Sequence, residues 1–87
     1  MHTLYRHFKG RYYQVLGIAL DTATETEVVV YRTLYASGYV LYTRPKEEFF
    51  GAIRGQEGQL MPRFSPVELA ELPADAAERV VPDLPRS

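Results

Sequence analysis

The sequence predicts a small, mainly β domain: a curved antiparallel sheet or barrel of about five strands, similar to an SH3 domain, with a short C-terminal helix or tail. Three observations lead to this fold class. Runs rich in β-branched and aromatic residues have the length of strands, and short polar or glycine-containing breaks separate them. The 87 residues leave room for one domain.

The middle of the chain predicts three sequential strands. Residues 12–20 are rich in Tyr, Val, Leu and Ile, and this run is too short and too β-prone to favour a helix. After a polar break, residues 26–35 contain three consecutive valines and predict a second strand. A short turn with Gly38 leads to a third predicted strand at residues 39–44. Strands that follow one another in this way predict a meander.

Pro45 removes a backbone donor and ends the third predicted strand. Residues 46–50 have the composition of a single helical turn entered through proline. Two further short strands, at residues 52–54 and 60–61, flank a glycine-containing turn. These bring the predicted total to about five strands.

The C-terminal part differs in composition. Ser65, Pro66 and Glu68 have the spacing of a helix start, and Pro73 is expected to end that helix. Residues 74–87 are rich in Ala, Pro, Asp and Glu, and are expected to fray. The predicted organisation is a β domain at residues 1–64 and an acidic Pro/Ala-rich helix or tail at residues 65–87.

Composition restricts the class of protein. The chain has no cysteine, which excludes a disulfide scaffold and thiolate chemistry, and no apolar run approaches the roughly 18 residues of a membrane helix. We therefore expect a cytoplasmic protein without a membrane partner.

Residues 1–64 hold eight Lys and Arg against six Asp and Glu, whereas residues 65–87 hold two against five. A small core leaves both a monomer and a homodimer open.

The ordered pattern of motifs along residues 4–64 resembles DUF1653, a bacterial family of small proteins of unknown function. The residues that carry the resemblance are Tyr5-Arg6-His7-Phe8-Lys9-Gly10, Tyr13, Val15-Leu16-Gly17, Ala19, Val29-Val30-Tyr31, Leu34-Tyr35, Arg44-Pro45, Phe49 and Pro62-Arg63-Phe64. The sequence departs from the family pattern at Tyr42, where tryptophan is frequent, and at Lys46 and Glu48, where apolar residues are common. The resemblance implies no mechanism.

Aromatic and cationic residues interleave between Tyr5 and Tyr13, a pattern that predicts a binding surface because rings stack on bases and cations neutralise phosphate. Alternatively, the rings belong to the core and the cations protect an edge strand. Arg44 and Arg63 lie beside prolines and with His7 could form an anion site, or they pair with nearby glutamates. The predicted ligand-binding residues are Tyr5, Arg6, His7, Lys9, Arg11, Tyr12, Arg44 and Arg63.

These residues predict a non-enzymatic recognition module that binds a protein segment or an anionic ligand. Two alternatives stay open: binding of single-stranded RNA or DNA by the same face, and an enzyme that acts on a small anionic substrate. An enzyme is less favoured because the glycines lack the spacing of a phosphate loop or a dinucleotide fingerprint. No cofactor is predicted, and no metal, since the two histidines stand at no metal-site spacing and cysteine is absent.

Overall fold

A computed structural model describes residues 3–82 and shows two antiparallel sheets. The elements, in chain order, are β1 (Leu4–His7), β2 (Tyr12–Asp21), β3 (Thr26–Thr33), β4 (Tyr42–Pro45), α1 (Lys46–Phe49), β5 (Ala52–Arg54), β6 (Leu60–Pro62), β7 (Phe64–Pro66), a 3₁₀ turn (Leu69–Glu71) and α2 (Ala74–Ala77). The larger sheet has the order β4-β3-β2-β1-β7, and β5 pairs with β6 in the smaller one. The predicted mainly β fold with a five-stranded antiparallel sheet is confirmed. The sheet is open, with β4 and β7 at its edges, and does not close into a barrel.

The pairing of β2 with β3 forms the centre of the sheet. Its register is interrupted between Val15 and Gly17, where an extra residue on β2 forms a β-bulge. A bulge bends its strand and increases the local twist, so we expect the sheet to curve at this point. Beyond the bulge, Ile18 and Leu20 are exposed at the end of the hairpin.

Strand alternation divides the larger sheet into two faces with different cores. We call one the aromatic face, since its buried cluster consists of Val29, Tyr31, Phe49 and Phe64. We call the other the aliphatic face, where the buried cluster consists of Leu4, Leu34, Leu72 and Ala76. Helix α1 covers the aromatic face through Phe49, and residues 67–82, the C-terminal segment, cover the aliphatic face.

The expectation that residues 74–87 fray is wrong for their described part, 74–82. Ala76 is buried against the sheet, and the side chain of Gln14 forms two hydrogen bonds with the backbone of Val81. The Gln14 Nε2 donates to the Val81 carbonyl at 2.8 Å, and the Val81 N–H donates to the Gln14 Oε1 at 2.9 Å. Composition favoured fraying, but these long-range contacts hold the segment on the sheet. Residues 83–87 lie outside the described part of the chain.

The prediction that a helix begins at Ser65 is also wrong, because this residue lies in strand β7. It pairs with β1, with His7 opposite Phe64 and Tyr5 opposite Pro66. Pairing with a distant strand overrides the local helix signal. The capping box forms three residues later, where Glu68 and Glu71 cap the 3₁₀ turn.

The third predicted strand is shorter than expected, since β4 begins at Tyr42 rather than Tyr39. The Thr33 and Ser37 hydroxyls are 2.7 Å apart, and the Ser37 Oγ donates to the Tyr39 carbonyl at 3.2 Å. Such local bonds compete with a strand ladder.

The division of the chain at residue 64 stays a prediction. Between residues 3 and 82, no helix is both long and apolar enough to span a membrane.

Candidate anion-binding site

The site is built around His7, the last residue of β1. The chain turns immediately after it: the Gly10 N–H donates to the His7 carbonyl at 2.7 Å, and the His7 N–H donates to the Arg11 carbonyl at 2.8 Å. Gly10 has φ of 105°, a left-handed conformation that glycine adopts without steric cost. The turn also brings the backbone N–H of Lys9 to the His7 Nδ1, at 3.2 Å. Because Nδ1 accepts this bond, the neutral imidazole carries its proton on Nε2, as a donor.

Aromatic rings hold the half-buried imidazole in place. Its centroid lies 4.4 Å from the ring of Phe8 and 4.8 Å from that of Phe64, which approaches edge-on. The ring of Tyr13 lies farther away, at 6.1 Å. Edge-to-face contacts of this kind fix the orientation of a ring.

The electrostatic surroundings of His7 are cationic. Burial lowers the pKa of His7, and the positive charges of Arg44, Arg63 and Lys9 lower it further. The neutral form is therefore favoured at pH 7. We call these four residues, His7, Lys9, Arg44 and Arg63, the cationic cluster.

Arg44 reaches the cationic cluster from β4, where it stands opposite Val29 on the aromatic face. Its guanidinium carbon lies 6.0 Å from the centroid of the Phe64 ring. Its Nη1 is 3.7 Å from the Glu48 Oε1, an ion pair in which both side chains are partly exposed. The Nε of Arg44 is buried and has no hydrogen-bond partner within residues 3–82.

Arg63 lies between β6 and β7, and its backbone is fixed on both sides. Its N–H donates to the Gly51 carbonyl at 3.0 Å, and its carbonyl accepts from the Phe8 N–H at 2.9 Å. The half-buried side chain has a buried Nε without a partner and forms no ion pair with any residue that the structure describes. Its charge is therefore not neutralised by a contacting acid in this part of the chain.

A second polar group stands beside the cationic cluster. The hydroxyls of Tyr13 and Tyr35 are hydrogen-bonded at 3.1 Å, and the Arg11 guanidinium lies 4.3 Å from the centroid of the Tyr35 ring. Burial raises the pKa of Tyr13 well above its ordinary value, the hydrogen bond to Tyr35 raises it further, and Arg11 opposes the change. The Tyr13 phenol is thus neutral at pH 7.

The structure brings together four of the eight residues predicted to bind a ligand, those of the cationic cluster. Arg6 and Tyr12 stand opposite each other in the β1–β2 pairing and belong to the aliphatic face, where Tyr12 packs against the buried cluster. Tyr5 shares the face of His7, but its ring packs edge-on against Phe49 and burial raises its pKa. Arg11 lies over Tyr35 instead.

The predicted ligand-binding residues did not include two contributors to this region, Phe64 and Tyr35. The Phe64 ring contacts the His7 ring. The Tyr35 ring lies under the Arg11 guanidinium, and its hydroxyl is hydrogen-bonded to that of Tyr13. Strand alternation in β1 and β2 contained part of the signal, because Tyr5 pairs with Tyr13 and only one set of alternate residues can share the face of His7. The contact with Phe64 depends on the pairing of β7, which the local sequence does not indicate.

Comparison with known proteins supports one family. Residues 3–66 match the family described as "Protein of unknown function (DUF1653)". Among solved structures, the chain is similar to the crystal structure of a DUF1653 protein from Bordetella bronchiseptica, with 37% sequence identity, a TM-score of 0.69, and coverage of 77% of this chain and 86% of that one. A comparison with curated proteins gives no match. The family match includes the whole cationic cluster and ends before the C-terminal segment.

Proposed function

The chain belongs to the DUF1653 family, and we propose that it is a recognition module that binds an anionic group, a carboxylate or a phosphate, at the cationic cluster. One observation carries the proposal: three positive charges act on one neutral imidazole, and within residues 3–82 the only acid in an ion pair with any of them is the exposed Glu48. Like charges that converge on one point repel one another, and a bound anion relieves that repulsion.

The donors in the cluster have complementary chemistry. Each guanidinium offers a planar set of N–H groups that matches the oxygens of a carboxylate or phosphate, and the Nε2–H of His7 adds a neutral donor. Lys9 is exposed and adds a positive charge at the rim. Hydrogen bonds to charged groups contribute about 1.5–3 kcal/mol each.

Glu48 does not prevent ligand binding. Its ion pair with Arg44 has an N···O distance of 3.7 Å and is partly exposed on both sides, and such pairs contribute about 0–1 kcal/mol. An anion that contacts both arginines therefore has more to gain than Arg44 loses when it releases Glu48.

The test is an NMR titration of the His7 ring between about pH 5 and 8, with inorganic phosphate or with sodium chloride at the same ionic strength. A bound anion favours the protonated imidazole, so phosphate should raise the pKa of His7 above its value in chloride. The effect should saturate with phosphate concentration. If phosphate and chloride give the same titration curve, the proposal is wrong.

Matched variants assign the binding to the cluster. Arg63→Gln and Arg44→Gln should each weaken phosphate binding by about tenfold or more, the cost of losing a charge-assisted hydrogen bond. Arg79→Gln is the control, because Arg79 is an exposed arginine that follows α2 in the C-terminal segment. Equal affinities in the Arg63 and Arg79 variants would place the site elsewhere.

Single-stranded nucleic acid is a second candidate ligand, supported by two cations that lie over aromatic rings. The Lys9 Nζ is 5.8 Å from the centroid of Phe8, and Arg11 lies over Tyr35. A polynucleotide would contact several cations at once, so its affinity should fall steeply with salt, by about 0.7 in log K per phosphate contact for each tenfold rise. Titration with mixed oligonucleotides at low salt decides this, and absence of binding there eliminates the candidate.

A further inference from the structure

A groove beside α1 has the opposite electrostatic character to the cationic cluster. It has a volume of about 740 Å³ and lies between the β2–β3 turn, the start of β3 and α1. The residues that determine its chemistry are Glu25, Glu27, Lys46, Glu47 and Phe50. Protein pockets that take ligands have volumes of about 300–1,000 Å³. We call this the Phe50 groove.

Phe50 also borders a second, apolar depression of about 220 Å³, which we include in the Phe50 groove. Phe50 lines both, and Leu60, Met61 and Pro62 of β6 line the depression. Phe50 is 52% exposed and Leu60 is 68% exposed, whereas the adjacent Phe49 is fully buried. Two large apolar side chains are therefore available to a partner at one place on the surface.

The other side of the groove is acidic. Glu27 pairs with Lys46 at 3.3 Å, an exposed contact between β3 and α1. Glu25 and Glu47 form no ion pair with any residue between 3 and 82. Three carboxylates against one ammonium leave the lining with a net charge of −2, and this charge lies directly beside the exposed Phe50 ring.

The acidic side is held in a fixed geometry. Glu25 has φ of 56°, which is uncommon for a residue other than glycine, and its N–H donates to the Asp21 carbonyl at 2.7 Å. The hydroxyls of Thr24 and Thr26 on either side are 2.7 Å apart. A turn that is ordered before binding loses less entropy when a ligand arrives.

We propose that the Phe50 groove docks an extended segment of a partner protein in which an apolar side chain stands next to lysine or arginine. The apolar side chain contacts Phe50 and Leu60, and the cation contacts the unpaired Glu25 and Glu47. Charge complementarity selects this occupant, since an acidic segment would meet carboxylates that the single lysine does not neutralise. This proposal is independent of anion binding at the cationic cluster.

The test is a selection of random dodecapeptides displayed on phage against the immobilised full chain. Peptides that survive should share a lysine or arginine adjacent to a large apolar residue. Their synthetic versions should lose about tenfold or more in affinity for Phe50→Ala and Leu60→Ser, as expected at the centre of an interface. The double variant Glu25→Gln/Glu47→Gln should weaken binding and remove most of its dependence on salt.

Matched control variants distinguish binding in the groove from non-specific binding elsewhere on the surface. Leu69→Ser removes an apolar side chain whose exposure, 58%, lies between those of Phe50 and Leu60, and Glu57→Gln removes a carboxylate from the β5–β6 turn. Both should bind the selected peptides as the unchanged chain does. Arg63→Gln should also bind them normally, which separates this site from the cationic cluster. Amide NMR spectra establish that each variant is folded before its affinity is compared.

Several results would overturn the proposal. Convergence of the selection on acidic peptides, or on no shared pattern, contradicts the stated partner. Peptides whose affinity is the same for Phe50→Ala, Leu60→Ser and Leu69→Ser would bind outside the groove. Because Leu60 is mostly exposed, the Leu60 variant remains informative even if the Phe50 variant fails to fold.

Discussion

The two faces of the larger sheet are covered in different ways. The aliphatic face is closed by the C-terminal segment, with Leu72 and Ala76 buried against it and Gln14 bonded to Val81. On the aromatic face, α1 contributes only Phe49 to the buried cluster, and His7, Arg44 and Arg63 lie half-buried beside it. The C-terminal segment thus covers the aliphatic face, whereas the aromatic face has partly exposed polar side chains beside its core.

This difference shows how so small a sheet can have both a core and a proposed binding surface. On the aromatic face, Phe49 stacks on Phe64 with centroids 4.0 Å apart and planes inclined by 6°. Phe64 in turn contacts the ring of His7. The core beneath the cationic cluster therefore also positions it, and damage to that core should reach the site. Within residues 3–82, none of the partly buried hydrophobic residues that pack against the aliphatic cluster belongs to the cationic cluster.

The largest expected effect is that of Phe49→Ala. Phe49 is fully buried, so its truncation should lower the free energy of unfolding by about 3–5 kcal/mol through lost burial and a cavity. Urea denaturation measures the change. The control is Phe50→Ala, which should cost less than about 1.5 kcal/mol because that side chain is half exposed. Similar losses at the two positions would contradict the described core.

A comparison with the other face sharpens this prediction. Leu34 is 1% exposed in the aliphatic cluster, and Leu34→Ala should cost about 2–5 kcal/mol. When the folded fraction is the same in all samples, the Phe49 variant should bind phosphate more weakly than the unchanged chain. The Leu34 variant should bind phosphate as the unchanged chain does. If both variants bind phosphate as the unchanged chain does, the aromatic core does not position the cationic cluster.

The next effect concerns the attachment of the C-terminal segment. Gln14→Ala removes both hydrogen bonds to Val81 and should lower the free energy of unfolding by about 1–3 kcal/mol. Hydrogen exchange at the Val81 amide should accelerate more than exchange in β2. Gln59→Ala, at an exposed position, is the control. Unchanged protection of Val81 would show that Gln14 does not hold the segment.

The sequence predicted the middle of the fold well, and the reason is local. β2 and β3 are long, rich in β-branched and aromatic residues, and separated by a polar break, so periodicity and composition agree. The short β5 and β6 were also predicted, since a glycine-containing turn lies between them. The strand β7 was not predicted, because its three residues carry a helix-start signal and only pairing with β1 decides their conformation.

The candidate site was predicted in part for the same reason. Arg44 and Arg63 stand out in the sequence because each adjoins a proline, and their grouping with His7 agrees with the charges that act on that imidazole. The sequence could not indicate that Arg6 and Tyr12 belong to the aliphatic face, since this depends on the register of β1 against β2. A shift of one residue would have exchanged the two faces.

A smaller effect is the pH dependence of stability. Since the pKa of His7 is lower in the folded chain than its ordinary value of about 6.5, the unfolded chain binds more protons below that pH. The stabilisation by neutral His7 is therefore complete above about pH 6.5 and is lost as the pH falls towards the folded pKa. Urea denaturation between about pH 5.5 and 7.5 should show this slope, since Asp and Glu titrate mainly at lower pH.

His7→Asn should flatten this part of the profile, because asparagine does not titrate. Gln59→Asn, an exchange of non-titrating side chains at an exposed position, should leave it unchanged. Phosphate should reduce the slope in the unchanged chain if it binds the cationic cluster, because it favours protonated His7 in the folded state. A slope that survives in His7→Asn would have to come from a different group.

The smallest effect tests whether Arg11 belongs to the cationic cluster or to the tyrosine pair beside it. The guanidinium lies 4.3 Å from the Tyr35 centroid, and an exposed cation–π contact contributes about 0.5–1 kcal/mol. Arg11→Gln should lower the free energy of unfolding by that amount, and a second substitution, Tyr35→Leu, should remove most of the difference in a double-mutant cycle. Phosphate binding should change much less than in Arg63→Gln, because Arg11 is not among the charges that lower the pKa of His7. If Arg11→Gln lost as much phosphate binding as Arg63→Gln, the site would extend across Tyr13 to Tyr35. The aromatic face would then have one continuous binding surface, and the tyrosine pair would belong to that surface instead of only stabilising the fold beside the cationic cluster.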